Sequence, residues 1–191
     1  LILAGGGGSG KGTAVPEFFH LDEYPIVLDQ TSTDAKKLEK QMDQAKEHGY
    51  EPAYVFVDRP PEAAWSGVVG RALNSRGKGK PARTVELKVA LKHNIEARQA
   101  ALDLLKRRTD VTPMVLDNRS GMAGDRHLIT DRAQAIQFLE SHIAELQKTA
   151  HDREERLHNE VLRKHKAGEI PDDIAAALLG GASVWFVSSL K

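Results

Sequence analysis

Nine residues near the start constrain this chain more than any others. Gly5-Gly6-Gly7-Gly8-Ser9-Gly10-Lys11-Gly12-Thr13 follows the apolar run Leu1-Ile2-Leu3-Ala4. Gly5, four intervening residues and then Gly10-Lys11 reproduce the Walker A spacing, with a threonine two places after the lysine. Glycines let a tight turn present successive backbone N–H groups to a phosphate, and the N-terminus of a following helix adds positive potential. The expectation is an ATP-binding loop lined by Gly6, Gly7, Gly8, Ser9, Gly10, Lys11, Gly12 and Thr13. Lys11 would bridge phosphate oxygens, and the Thr13 hydroxyl would hold Mg²⁺. Four consecutive glycines taken alone would favour a flexible turn or linker. The lysine spacing and the apolar run before it favour the phosphate loop.

Behind this loop, apolar runs alternate with helical periodicity. Residues 26–28 read as a second buried strand, followed by a helix over residues 34–48 with Ser32 and Thr33 as candidate caps and Gly49 as its stop. Residues 54–57 form a third strand, and Pro60-Pro61-Glu62 opens a helix carrying Ala64, Val68 and Leu73. A glycine-rich basic loop over residues 74–83 precedes a helix over residues 85–108. A fourth strand spans residues 113–117, a loop residues 118–126, and a long helix residues 132–166, amphipathic at first and highly charged later. A short helix near residues 172–179 and an apolar tail over residues 184–187, either a strand or an ordered terminus, complete the chain. Strands alternating with helices of ten or more residues imply βαβ units and a mainly parallel sheet. The fold class expected is therefore α/β of the P-loop NTPase type, flanked by helices, with a helical C-terminal extension.

Composition narrows the function classes. The 191 residues hold 27 basic and 27 acidic side chains, so the formal net charge is zero and a dominant nucleic-acid or anionic-membrane role is not expected. No cysteine is present, which excludes disulfides, thiol nucleophiles and thiolate metal sites. The eight histidines show no metalloprotease-type spacing. His158 and His165 read as solvated, and Trp65 and Trp185 as packing residues, with a partner contact as the second reading of Trp185. The run 148–166 reads as an exposed helix or a partner-binding arm. No apolar run approaches the length of a membrane span, so a cytoplasmic site of action is expected, with a secreted effector as the alternative. Leu1 reads as the middle of a strand, which implies residues before it.

In open α/β sheets ligands sit beyond the carboxyl ends of strands. Asp29 and Thr31 follow the strand 26–28 and would face the phosphate loop. Asp29 could hold Mg²⁺ through water, act as a base or accept from substrate hydroxyls; its plainer role is to cap the next helix. Arg71, Arg76, Lys78, Lys80 and Arg83 supply a basic helix and loop of the kind that closes over phosphates, or simply a solvated charged loop.

Tyr24-Pro25-Ile26-Val27-Leu28-Asp29-Gln30-Thr31 resembles the strand, acidic residue, any residue, threonine motif of the zeta toxin family kinases. The resemblance continues through Ala45 to Tyr50, the strand 54–57, Val69-Gly70-Arg71, Pro81-Ala82-Arg83-Thr84 and Val115-Leu116-Asp117-Asn118, covering about residues 1–140. It implies a small-molecule kinase that uses ATP and Mg²⁺ to phosphorylate a hydroxyl of UDP-N-acetylglucosamine or a related nucleotide, with an antitoxin as partner. Lys11, Arg71 and Arg83 would be the catalytic cations and Asp29 and Thr31 the substrate-binding pair. Residues 1–140 would be the kinase-like domain and 141–191 a charged helical extension.

One departure stands out. The family places a strand ending in a catalytic aspartate between the phosphate loop and the Asp29 strand, but only residues 14–25 separate Thr13 from Ile26. A helix of ten residues, a strand and their connections do not fit there, and Pro16 is poorly tolerated in a helix starting near Lys11. A segment missing near residues 15–16 is expected; loss of the base is the alternative, with Asp22 the nearest stand-in. The competing function is a non-catalytic ATP-binding module of a larger phage- or plasmid-type protein.

Overall fold

A computed structural model describes residues 1–181; the apolar run 184–187 lies outside the described residues. Five strands form one sheet in the order β2-β1-β3-β4-β5. Strand β1 (Ile2–Ala4) lies between β2 (Leu28–Asp29) and β3 (Tyr54–Asp58), and both neighbours run parallel to it. β4 (Val115–Asp117) is parallel to β3, whereas β5 (His127–Ile129) returns antiparallel. The architecture is that of a P-loop NTPase-like fold with a helical C-terminal part.

Period-two alternation divides the strands between two cores. Ile2, Ala4, Tyr54, Phe56 and Val115 face α2 (Ala35–Glu47), α4 (Leu87–Arg107) and the first half of α5 (Arg132–Lys166). Leu3, Val55, Val57 and Leu116 face the segment after the glycine loop, through Ala14 and Val15. A third cluster joins Trp65, Val68 and Ala72 of α3 (Pro61–Gly77) to Leu87, to Leu157 and Val161 in the second half of α5, and to Ile174 and Leu178 of α6 (Asp172–Leu178). The charged half of α5 thus buries one stripe against α3 and α6 while its other faces stay polar.

Several expected elements take a different form. α2 begins one turn position later than Ser32 or Thr33 would place it: Asp34 is the cap, its Oδ1 accepting from the Lys36 and Lys37 amides. α3 runs on to Gly77, so the first part of the basic loop is helical. β5 falls between the loop 118–126 and the helix from 132, in an interval given no element, because three residues carry too little alternation to register as a strand. The helix after the glycine loop, α1 (Lys11–Ala14), has four residues, and a 3₁₀ turn over Val15–Glu17 with Pro16 near its start ends it. A second 3₁₀ turn, Leu21–Glu23, holds the exposed Asp22.

Strand β2 is not buried. Among the described residues no strand lies outside β2, and Ile26, Val27 and Leu28 are exposed at 47%, 36% and 39%. An apolar run signals burial only when something covers it. A cavity of about 590 Å³ flanks this edge, lined by Tyr24, Ile26, Leu28, His48 and Tyr50 together with Leu1 and Ile2 from the start of β1. It lies at the end of the strands opposite the glycine loop.

Candidate active site

The loop after β1 folds as its glycines require. Gly8 and Gly10 have φ of 82° and 84°, the left-handed region that other residues rarely adopt. A side chain at Gly8 would collide with the Ala64 carbonyl of α3, and one at Gly10 would come 2.8 Å from Asn118 Nδ2. Both positions therefore demand glycine twice over, by torsion and by space. The loop leads into α1, where Lys11 is buried and its Nζ donates to the Gly5 carbonyl at 3.1 Å, folding the side chain back over the loop.

Parallel pairing of β1 with β2 sets Asp29 beside Leu3, two residues ahead of the loop. Its Oδ1 lies 3.5 Å from Lys11 Nζ, and the carboxylate is 57% exposed, so one of its oxygens faces open space at the mouth of the loop. Burial lowers the Lys11 ammonium below its ordinary value; Asp29 opposes that shift, and Arg71 adds a smaller push downward. Arg71, exposed on α3, is thus within electrostatic reach of Lys11. Thr13 is exposed and its hydroxyl donates to the Gly10 carbonyl at 3.0 Å. Thr31 is exposed in the turn after β2 and lines a small hollow with Gln30, Lys37 and Gln41. Arg83 lies in the exposed stretch between α3 and α4, and nothing in the structure ties it to the loop. Lys11 and Asp29 are therefore in contact, Arg71 lies on the exposed side of α3 with no contact to either, and Arg83 is not tied to the loop.

A family model described as Zeta toxin matches residues 22–125, more than half of the 191-residue chain. The chain belongs to the zeta toxin family. No individually curated protein matches it. The zeta toxin match starts at Asp22 and ends at Asp125, so it spans β2 to the loop after β4. The phosphate loop lies ahead of it and stands on its own residues and geometry. Zeta toxins are kinase-like P-loop proteins, for which nucleotide and metal use are expected.

The zeta toxin site holds residues that sequence reading did not single out for a role. Asn118, at the end of β4, is buried and its Nδ2 donates to the Ser9 carbonyl at 2.9 Å. Asn94 of α4 is buried against Gly6, a side chain at which would come 2.9 Å from the amide. Arg59, just past β3, donates from Nη1 to the Gly8 carbonyl at 3.2 Å. Arg126 donates from Nε to Asn118 Oδ1 at 2.8 Å and from Nη2 to the Gly121 carbonyl at 3.1 Å, and its Nη1 lies 2.5 Å from Glu17. These side chains wall the loop on the flank away from Asp29.

Asp58 and Asp117 end adjacent strands in register, two carboxylates on one face of the sheet. Each has its own cation. Arg98 Nε of α4 lies 2.6 Å from Asp58 Oδ1, a charge contact whose N–H is not aligned on the oxygen, and His142 Nδ1 of α5 lies 2.9 Å from Oδ2. Arg119 Nη2 lies 2.7 Å from Asp117 Oδ2. Burial lowers the Arg98 guanidinium, with Asp58 opposing. Among the described residues no cluster of histidines and carboxylates could by itself hold a metal ion; the Thr13 hydroxyl and the Asp29 carboxylate are side-chain oxygens at the loop.

Proposed function

We propose that this protein is an ATP-dependent small-molecule kinase that moves a terminal phosphoryl group onto a hydroxyl of a nucleotide sugar such as UDP-N-acetylglucosamine, or of a related nucleotide. The observation that carries this reading is the pairing of the buried Lys11 with the exposed Asp29 carboxylate across the mouth of the loop. A buried ammonium with only one carbonyl and one open-faced carboxylate is a poor structural ion pair and a good partner for phosphate. The open backbone at Gly7 and Gly12, where an added side chain would meet no neighbour, leaves room for phosphates as well.

Each residue's part follows from its position. Backbone amides of Gly6, Gly7, Gly8, Ser9, Gly10, Gly12 and Thr13 bind phosphate oxygens, and Lys11 offsets charge on the transferring group. Arg71 adds positive charge from α3, and Arg83 does so if its loop closes over the site. Asp29 and Thr31 orient the acceptor, the carboxylate accepting from its hydroxyl. The Thr13 hydroxyl is the Mg²⁺ ligand on this reading; the ion would neutralise phosphate charge when bound. Transfer forms a bond between the acceptor oxygen and phosphorus and releases ADP, with the hydroxyl proton passing to a carboxylate or to water.

A second reading is favoured by one observation. Between α1 and β2 there are only two 3₁₀ turns, so no strand there supplies a further carboxylate for proton transfer. On that reading the chain is a non-catalytic ATP-binding module. The Lys11→Ala variant tests the kinase reading. It should lose phosphoryl transfer to UDP-N-acetylglucosamine by at least about a hundredfold, the scale of removing a preorganised charge, while its thermal melt stays close to the parent's. Transfer at the parent rate in the variant would refute the assignment. An antitoxin that covers the loop, and action in the cytoplasm, belong to the same proposal.

A further inference from the structure

Among the described residues Arg59 is a half-buried cation on the loop without a carboxylate partner; Arg71, which also lacks one, is exposed. Among the described residues Lys11, Arg98, Arg119, Arg126 and Arg153 all have acidic partners within ion-pair distance, and Arg59 has none. It is half-buried, its Nε is enclosed with no hydrogen-bond partner, and Nη1 reaches the Gly8 carbonyl. Ideal side-chain positions at Gly10 and Gly121 would lie 3.5 Å from Nη1 and 3.2 Å from Nη2, so the guanidinium is wedged between the phosphate loop and the β4–β5 loop. Burial lowers its pKa, and the neighbouring Arg126 lowers it further. Two neighbouring guanidiniums, one of them without a carboxylate, cost free energy that the single Gly8 carbonyl offsets only in part.

We infer that Arg59 is a direct phosphate contact for the bound nucleotide, gripping it on the flank of the loop opposite Lys11 and Asp29. A phosphate carries the acceptor oxygens that Arg59 lacks, and a guanidinium offers donors in a rigid fork that suits them. Arg126, fixed by Glu17, Asn118 and Gly121, stays in place and raises the positive potential at the same spot. Arg59 precedes Pro60 and Pro61 at the start of α3, and its own carbonyl accepts from Arg98 Nη2 at 2.7 Å, so its backbone is held while its side chain points to the loop.

This inference rests on the nucleotide-binding reading above, and ATP titrations of the parent chain, Arg59→Ala and Arg59→Lys separate the two. The parent should bind ATP, and Arg59→Ala should bind it at least about tenfold more weakly, equivalent to about 1.4 kcal/mol. Arg59→Lys, which keeps the stem and one charge, should fall between them and also serves where truncation unfolds the chain. A merely structural Arg59 would lower the melting temperature and leave the ATP Kd within twofold of the parent in folded variants; that result overturns the inference alone. Failure of the parent to bind ATP would overturn the nucleotide-binding reading together with it.

Discussion

Asp58 is 1% exposed and touches Arg98, itself 2% exposed, on one side and His142 on the other. A buried charge pair gives little net stability, but removing one partner strands the other. Asp58→Ala is therefore expected to destabilise the fold by about 3–5 kcal/mol, read as a lowered midpoint in urea unfolding. A change below about 1 kcal/mol would mean that Arg98 finds water instead. The contrast with Lys11 and Asp29 explains what could be read from sequence. Lys11 sits inside a motif nine residues long, and Asp29 ends the next apolar run, so both carry local signals. Arg59, Asn118 and Arg126 meet Gly8, Ser9 and one another across 51 and 109 positions of chain. No local pattern marks an arginine after one strand or an asparagine after another as walls of the same loop. Asn118 was visible only as part of a family pattern, without its hydrogen bond to Ser9.

At the scale of elements, the helices were the most legible and the short strands the least. α5 begins and ends where its periodicity and the Gly168 stop place it, because 35 residues give many turns of pattern. α2 shows how a cap shifts by a residue or two: Ser32, Thr33 and Asp34 are all good caps, and only the backbone geometry selects Asp34, whose φ and ψ are −133° and 110°. Asp34→Ala should lower stability by about 1 kcal/mol, whereas Thr33→Ala should change it by less than about half that; thermal melts of the two variants give the comparison, and a larger effect at Thr33 would contradict the assignment. β2 was read as buried from Ile26, Val27 and Leu28, yet an apolar run does not say whether a neighbour exists to cover it. Pro16 and the small number of residues before Ile26 pointed to a missing segment; in the described structure α1 ends after four residues. What fills that interval, two 3₁₀ turns, carries no periodic signal.

The whole molecule is organised by α5, whose first half closes the core over the sheet and whose second half packs on α3 and α6. That arrangement brackets Arg71. Its helix, α3, presses Trp65, Val68 and Ala72 into the third cluster and carries Arg71 on its exposed side. Ile174 of α6 is 1% exposed in that cluster, and Ile174→Ala should cost about 2–4 kcal/mol. Because α3 carries both the cluster and Arg71, the same variant should weaken phosphoryl transfer before it unfolds the sheet, as followed by activity and circular dichroism along one urea series. Simultaneous loss of both signals would show that the two clusters unfold as one unit.

On the proposed reading, the glycine loop holds ATP and the Asp29 carboxylate opposite it holds the acceptor hydroxyl. Incubating the protein with ATP and Mg²⁺ and a panel of nucleotide sugars, nucleosides and dinucleotides, then reading masses, tests that reading most directly. The expected result is a gain of one phosphate on a single class of acceptor, led by UDP-N-acetylglucosamine and lost with Lys11→Ala. ATP bound by the protein with no acceptor gaining mass would contradict the kinase and leave a nucleotide-binding module in its place.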